Sequence, residues 1–161
     1  MNATSRPRRL LGLAVLVGVC LGVGAVGGIA TSSSVDTWYS TLNKPVFNPP
    51  NWLFAPVWTA LYVLMAVAAW RVWCTPDGVA RRQALFLFAV QLAFNLAWSF
   101  IFFAWRSPGW ALVEIAVLSG LVALTLARFW SLDRSAGLLM VPYLVWVLFA
   151  TALNLAIWRL N

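Results

Sequence analysis

At 161 residues, 63% hydrophobic and only 9% charged, the chain carries far fewer charges than the roughly 25% usual for a soluble domain, which excludes water as its main solvent. The net charge of +7 does not point to nucleic acid, because Lys and Arg stand at the ends of apolar segments and form no solvated face. Histidine is absent, which excludes an imidazole ligand, an imidazole general base and a histidine haem ligand together.

Five stretches reach the roughly 20 apolar residues that a membrane-spanning helix needs, each ended by charge, Pro or Gly. They predict an all-α membrane protein, a single domain built as a five transmembrane helix bundle over about residues 10–29, 53–74, 83–105, 110–129 and 136–160. The first run follows Arg6, Arg8 and Arg9 and has small residues near 30–34, as a signal peptide would. It is nevertheless of full spanning length, where a signal core takes about 7–15 residues, so it reads as a first span. Ala14, Gly18 and Gly22 at four-residue spacing, then Gly24 and Gly28, let another helix approach closely, either in a homodimer seam or inside the monomer. Cys20 lies mid-run and Cys74 at the end of another run, so both are expected to be free.

The one long connection, 31–51, centres on aromatics and the prolines Pro45, Pro49 and Pro50, which favour an extended, lid-like segment. The other connections are short and force antiparallel neighbours. Arg6, Arg8, Arg9, Arg71, Arg81, Arg82, Arg128 and Arg134 collect on the N-terminal side, against Lys44, Arg106 and Arg159 on the other. This predicts a cytoplasmic N-terminus, with the long loop and the C-terminus outside.

Tryptophan occurs 11 times. Trp70, Trp73, Trp105, Trp110, Trp130 and Trp158 lie at segment ends, as an interfacial belt requires. Trp58, Trp98 and Trp146 lie inside spans. Trp58 shares a helix face with Tyr62, Gln91 and Asn95 with Trp98, and Trp146 with Ala150 and Asn154. An amide in hydrocarbon needs a partner, so Gln91, Asn95 and Asn154 are expected to point inward. Such stripes either line a chamber for a large planar ligand or pack helix against helix, and spacing alone does not choose. Glu114, about one turn into the fourth span, could be a proton-relay site, but its closeness to the interface and to Arg106 favours snorkelling. There are no paired carboxylates, Ser/His/Asp set, phosphate-binding Gly loop or metal-ligand cluster, so neither a metal nor a cofactor is expected.

Trp38-Tyr39, Lys44-Pro45, Asn48-Pro49-Pro50-Asn51-Trp52, the 55–62 segment ending Trp58-Thr59-Ala60-Leu61-Tyr62, Gln91 to Trp98, Phe102-Phe103, Gly109 to Glu114, and Pro142 to Trp146 with Leu153-Asn154 and Trp158-Arg159 follow one another in order. Together they resemble the translocator protein family, also known as the tryptophan-rich sensory protein or peripheral-type benzodiazepine receptor family, from about residue 38 to the C-terminus.

The resemblance implies a five-helix bundle, often dimeric, that binds porphyrins and other tetrapyrroles under the first loop. Tyr39, Trp58, Asn95, Trp98, Trp146 and Ala150 correspond to its pocket, with Leu153 and Trp110 near the wall; Tyr62 joins the set by sharing the face of Trp58. It also implies a second possibility, light-dependent porphyrin degradation using Trp58 and Trp146. Leu155 stands where the animal sterol motif has tyrosine, so sterol recognition is not carried over. The expected partners are a tetrapyrrole, membrane lipid and a second copy through helix 1, with no nucleic acid. The short Arg-bearing start fits a bacterial cell envelope better than a mitochondrion.

Overall fold

The computed structural model describes residues 6–161. Helix α1 (Arg6–Ser34) continues into a π-helical turn, Val35–Tyr39. Then follow α2 (Asn51–Trp73), α3 (Val79–Ser99) with a π-helical turn at Phe100–Ala104, α4 (Pro108–Leu132) and α5 (Arg134–Leu160). Counting those turns, the five segments run 23 to 34 residues and are each long and apolar enough to cross a membrane. At 1.5 Å per residue even the shortest spans about 35 Å, against a hydrocarbon core of about 30 Å.

Local chemistry explains where the helices end. Pro108 occupies the first turn of α4, where its missing N–H costs nothing. Asp133 separates α4 from α5 and caps the latter, accepting from the Ala136 N–H at 2.9 Å. Its carboxylate also meets Arg71 at the end of α2 at 2.9 Å, tying two loops together.

The first helix departs from expectation. The stretch from residue 31, read as the start of a long loop, remains helical to Tyr39, and the irregular connection shrinks to about 42–50. Its hydroxyls are satisfied within the helix by donating back to the preceding turn: Thr31 to the Gly27 carbonyl at 2.9 Å, Ser32 to Ile29 at 3.0 Å and Ser33 to Ala30 at 3.0 Å. Ser34 instead reaches across and donates to the Phe103 carbonyl at 2.8 Å, binding the end of α1 to the turn after α3.

In space the helices close a ring in the order α1, α2, α5, α4, α3, with α4 against α5 the most extensive pairing. Gly137 permits that approach, since a Cβ there would lie 2.8 Å from Trp130 Cα. The inward stripe of α4 is buried at helical spacing, Ile115, Leu118 and Val122 in one cluster with Met140, Tyr143 and Val147 of α5, and Ala111 in another with Leu153 and Ile157. Cys20 and Cys74 are both free thiols.

Glu114 corrects the snorkelling expectation. Both of its carboxylate oxygens are enclosed by protein and have no hydrogen-bond partner among the described residues. The side chain lies one turn past Trp110, beside the buried Ala111–Ile115 stripe, so packing directs it into the protein rather than out toward Arg106.

Candidate functional site

At one end of the ring the helices part around a cavity of about 550 Å³. Helix α2 supplies Trp58 and Tyr62, one turn apart, with ring centroids 5.7 Å from each other. Helix α3 supplies Asn95 and Trp98, and Trp98 stacks on Phe102 at 5.2 Å. Helix α5 supplies Trp146, Ala150 and Leu153, with Trp146 held edge-on to Phe54 at 6.1 Å. Tyr39, from the turn that ends α1, closes the top; its hydroxyl donates to Asn48 at 2.8 Å and so fastens the 42–50 loop.

The expected Tyr39, Trp58, Tyr62, Asn95, Trp98, Trp146, Ala150 and Leu153 therefore share one chamber. Trp110 does not. It is 71% exposed and faces a separate shallow hollow with Trp38, Arg106 and Trp158. The residue after it, Ala111, is the one turned inward, and a step of about 100° around the helix points Trp110 away.

Beneath the cavity runs a buried polar chain. Tyr62 Oη donates to Asn95 Oδ1 at 2.5 Å, Asn95 Nδ2 to Tyr143 Oη at 3.1 Å, and Tyr143 Oη to Gln91 Oε1 at 2.9 Å. It joins α2, α3 and α5 across the floor, and its members are less than a tenth exposed. Higher up, Trp98 Nε1 donates to Asn154 Oδ1 at 3.1 Å and Asn154 Nδ2 to the Pro108 carbonyl at 2.8 Å, which sets the plane of the indole. The inward placement expected of Gln91, Asn95 and Asn154 is thus what the structure shows, although Gln91 serves the floor and does not line the cavity.

Sequence reasoning missed two parts of the site. One is the whole α1 wall, in which Leu21, Gly24, Ala25 and Gly28 face the cavity. Gly24 makes room for the Tyr62 ring, since a Cβ there would sit 2.6 Å from it and force one of them to shift. The four-residue glycine spacing was the available signal, and it divides. Gly24 and Gly27 pack inside the monomer, while Gly18, Gly22 and Gly28 have nothing within 4 Å of the place a Cβ would take. The other part is Tyr143, the hub of the polar chain, whose marks were its position three residues before Trp146 and its place in the Pro142 to Trp146 segment.

Such a chamber, with broad π faces on its walls and a few fixed amides and phenols at its edge, suits an apolar ligand of extended shape. The family model described as TspO/MBR family matches residues 16–159. The chain belongs to the TspO/MBR family. It is 43% identical to the tryptophan-rich protein TspO of Chlorobaculum tepidum over 157 residues, covering 96% of this chain and 98% of that one. Identity is 44% over 142 residues to the tryptophan-rich sensory protein of Cereibacter sphaeroides, covering 86% and 88%. It is 40% over 126 residues to the translocator protein of Homo sapiens, covering 77% and 75%. Five apolar helices within this family make the chain an integral membrane protein.

Proposed function

We propose that this TspO/MBR member is a tetrapyrrole-binding sensor or carrier that sequesters or transports porphyrins and related apolar ligands. The observation that carries the reading is the convergence of Trp58, Trp98 and Trp146 from three different helices on one chamber, beside the amide of Asn95. A planar macrocycle gains apolar area from the indoles, and the phenol and amide at the edge orient it. The test is a titration of the detergent-solubilised protein with protoporphyrin, following porphyrin absorbance and tryptophan quenching, repeated on Trp58→Ala and Asn95→Ala. Unchanged spectra on mixing with the wild type reject the reading.

A second reading, light-dependent degradation, is favoured by one observation: Trp58 and Trp146 both face the cavity, where an indole radical would meet the ligand. Aerobic illumination of the complex separates the two, because equal porphyrin loss with wild type and Trp146→Phe removes that residue from any redox role.

We place the protein in a bacterial envelope membrane with its N-terminus cytoplasmic. Cys74, partly exposed at the end of α2, then reacts in intact cells with permeant maleimide but not with impermeant maleimide. The open Gly18 and Gly22 face of α1 is our candidate homodimer seam, and its bulky Leu variants are expected to run as monomers in detergent.

A further inference from the structure

The cavity wall is rich in aromatics and carries three amides, yet among the described residues it contains a single formal charge, Asp36, and no Lys or Arg. Asp36 sits in the π-helical turn after α1, is exposed, and makes no ion pair among the described residues. Its place is the mouth. Several lining residues are also exposed, and they fall into two stripes: Ala25, Gly28 and Ser32 on α1 with Asp36 in the turn after it, and Asn51, Ala55 and Thr59 on α2. The chamber therefore opens along the seam between α1 and α2, which faces the bilayer at depth and reaches water at the Asp36 end, where the 34-residue first segment outruns a hydrocarbon core of about 30 Å. Asp36 stands about 15 residues, or roughly 22 Å, along α1 from Leu21 at the deep end.

The cation nearest in sequence makes its own contacts and no ion pair with Asp36 among the described residues. Lys44 Nζ lies 4.7 Å over the Tyr39 ring, donates to the Ser40 carbonyl at 3.4 Å, and is not part of the lining. A ligand carboxylate buried in the depth finds no positive partner, which is unfavourable away from water. One turned to the mouth meets the Asp36 carboxylate instead.

We propose that Asp36 makes the cavity selective by charge, admitting planar ligands whose edges are neutral, esterified or cationic in preference to those presenting carboxylates. This rests on the porphyrin reading only for the identity of the ring. Like charges a few ångströms apart in a water-exposed mouth repel enough to change affinity about three- to tenfold at low salt, and the effect fades as salt screens it.

The experiment uses the full chain in nanodiscs of zwitterionic phosphatidylcholine, which carry no net surface charge. Affinities for protoporphyrin and for its dimethyl ester are read by tryptophan quenching at low and high salt, on wild type, Asp36→Asn and Asp36→Lys. Asp36 is exposed and outside the packed core, so both variants are expected to fold. Asp36→Asn should tighten the diacid three- to tenfold and leave the diester unchanged, Asp36→Lys should tighten the diacid further, and high salt should erase both gains. A parallel series of pyrenebutyrate, pyrenebutanol and pyrenemethylammonium keeps the two ideas apart. If neither porphyrin binds but the pyrenes rank by charge and Asp36→Asn flattens the ranking, charge selection stands and the porphyrin reading falls. If both porphyrins bind and Asp36→Asn treats them alike, charge selection is overturned and the porphyrin reading stands. Binding of no probe in either series overturns both.

Discussion

Tyr143→Phe removes one oxygen from a fully buried ring while keeping its volume, so its effect isolates the polar chain from packing. The hydroxyl accepts from Asn95 Nδ2 at 3.1 Å and donates to Gln91 Oε1 at 2.9 Å. Gln91 Nε2 has no partner among the described residues, so losing that donor leaves the whole Gln91 amide unpaired. Interhelical hydrogen bonds inside membrane bundles contribute about 0.6 kcal/mol on average and about 1.7 at most, so two lost bonds should cost about 1–3 kcal/mol. Tyr62→Phe removes a single bond to Asn95 and should cost about half as much. The two changes share Asn95, so the double mutant is expected to be non-additive by about 0.5–1 kcal/mol. Reversible unfolding in mixed micelles titrated with SDS measures all four species. Tyr143 does not line the cavity, so its Phe variant should keep near-native ligand affinity, whereas Tyr62→Phe alters the lining itself. A Tyr143→Phe protein within about 0.3 kcal/mol of wild type would refute the claim that this chain holds the floor together.

Gly24→Ala places a methyl group against the Tyr62 ring and should cost about 1–3 kcal/mol along with ligand affinity; Gly22→Ala, with open space beside it, should be neutral or slightly stabilising, as thermal denaturation in detergent will show. Trp98→Ala should weaken porphyrin binding by roughly tenfold, while Trp110→Ala, outside the chamber, should leave it within about twofold in the same quenching titration. Partial burial pushes the Asp133 carboxyl up, but the Ala136 N–H and the Arg71 guanidinium outweigh it and hold the group below its ordinary value. Its stabilisation is therefore present in full above the unfolded pKa of about 3.9 and is lost as pH falls through the lower folded value. Asp133→Asn keeps a capping oxygen and loses only the partly exposed ion pair with Arg71, so it should cost about 0.5–1 kcal/mol at pH 7, and the difference from wild type should close toward pH 2 in a series of unfolding titrations.

Several site residues were legible because bilayer chemistry restricts them so tightly. An amide such as Asn95 or Asn154 has no tolerable position facing acyl chains, so its inward direction follows from its identity, and helical spacing then carries Trp98 and Trp146 inward with it. Aromatics at segment ends are less constrained. Trp110 satisfies the interfacial belt equally well on either face of α4, and only the burial of Ala111 beside it turned the indole out of the chamber. The same ambiguity hid the extension of α1: its Ser and Thr run suits a loop or a helix, since back-bonding can satisfy the hydroxyls in either, and the tertiary contact of Ser34 with Phe103 holds the helical form in place.

Sequence by itself determined the solvent, the number of spans and the inward set of amides, because each of those is a property of one segment measured against hydrocarbon. Only the tertiary arrangement decided the ring order α1, α2, α5, α4, α3, the α1 wall built on Gly24, the enclosed carboxylate of Glu114, and the seam that leaves Asp36 at the mouth. Those features depend on which helix faces which, and when lipid and protein interior are equally apolar, hydrophobic pattern alone does not distinguish a neighbour from the membrane.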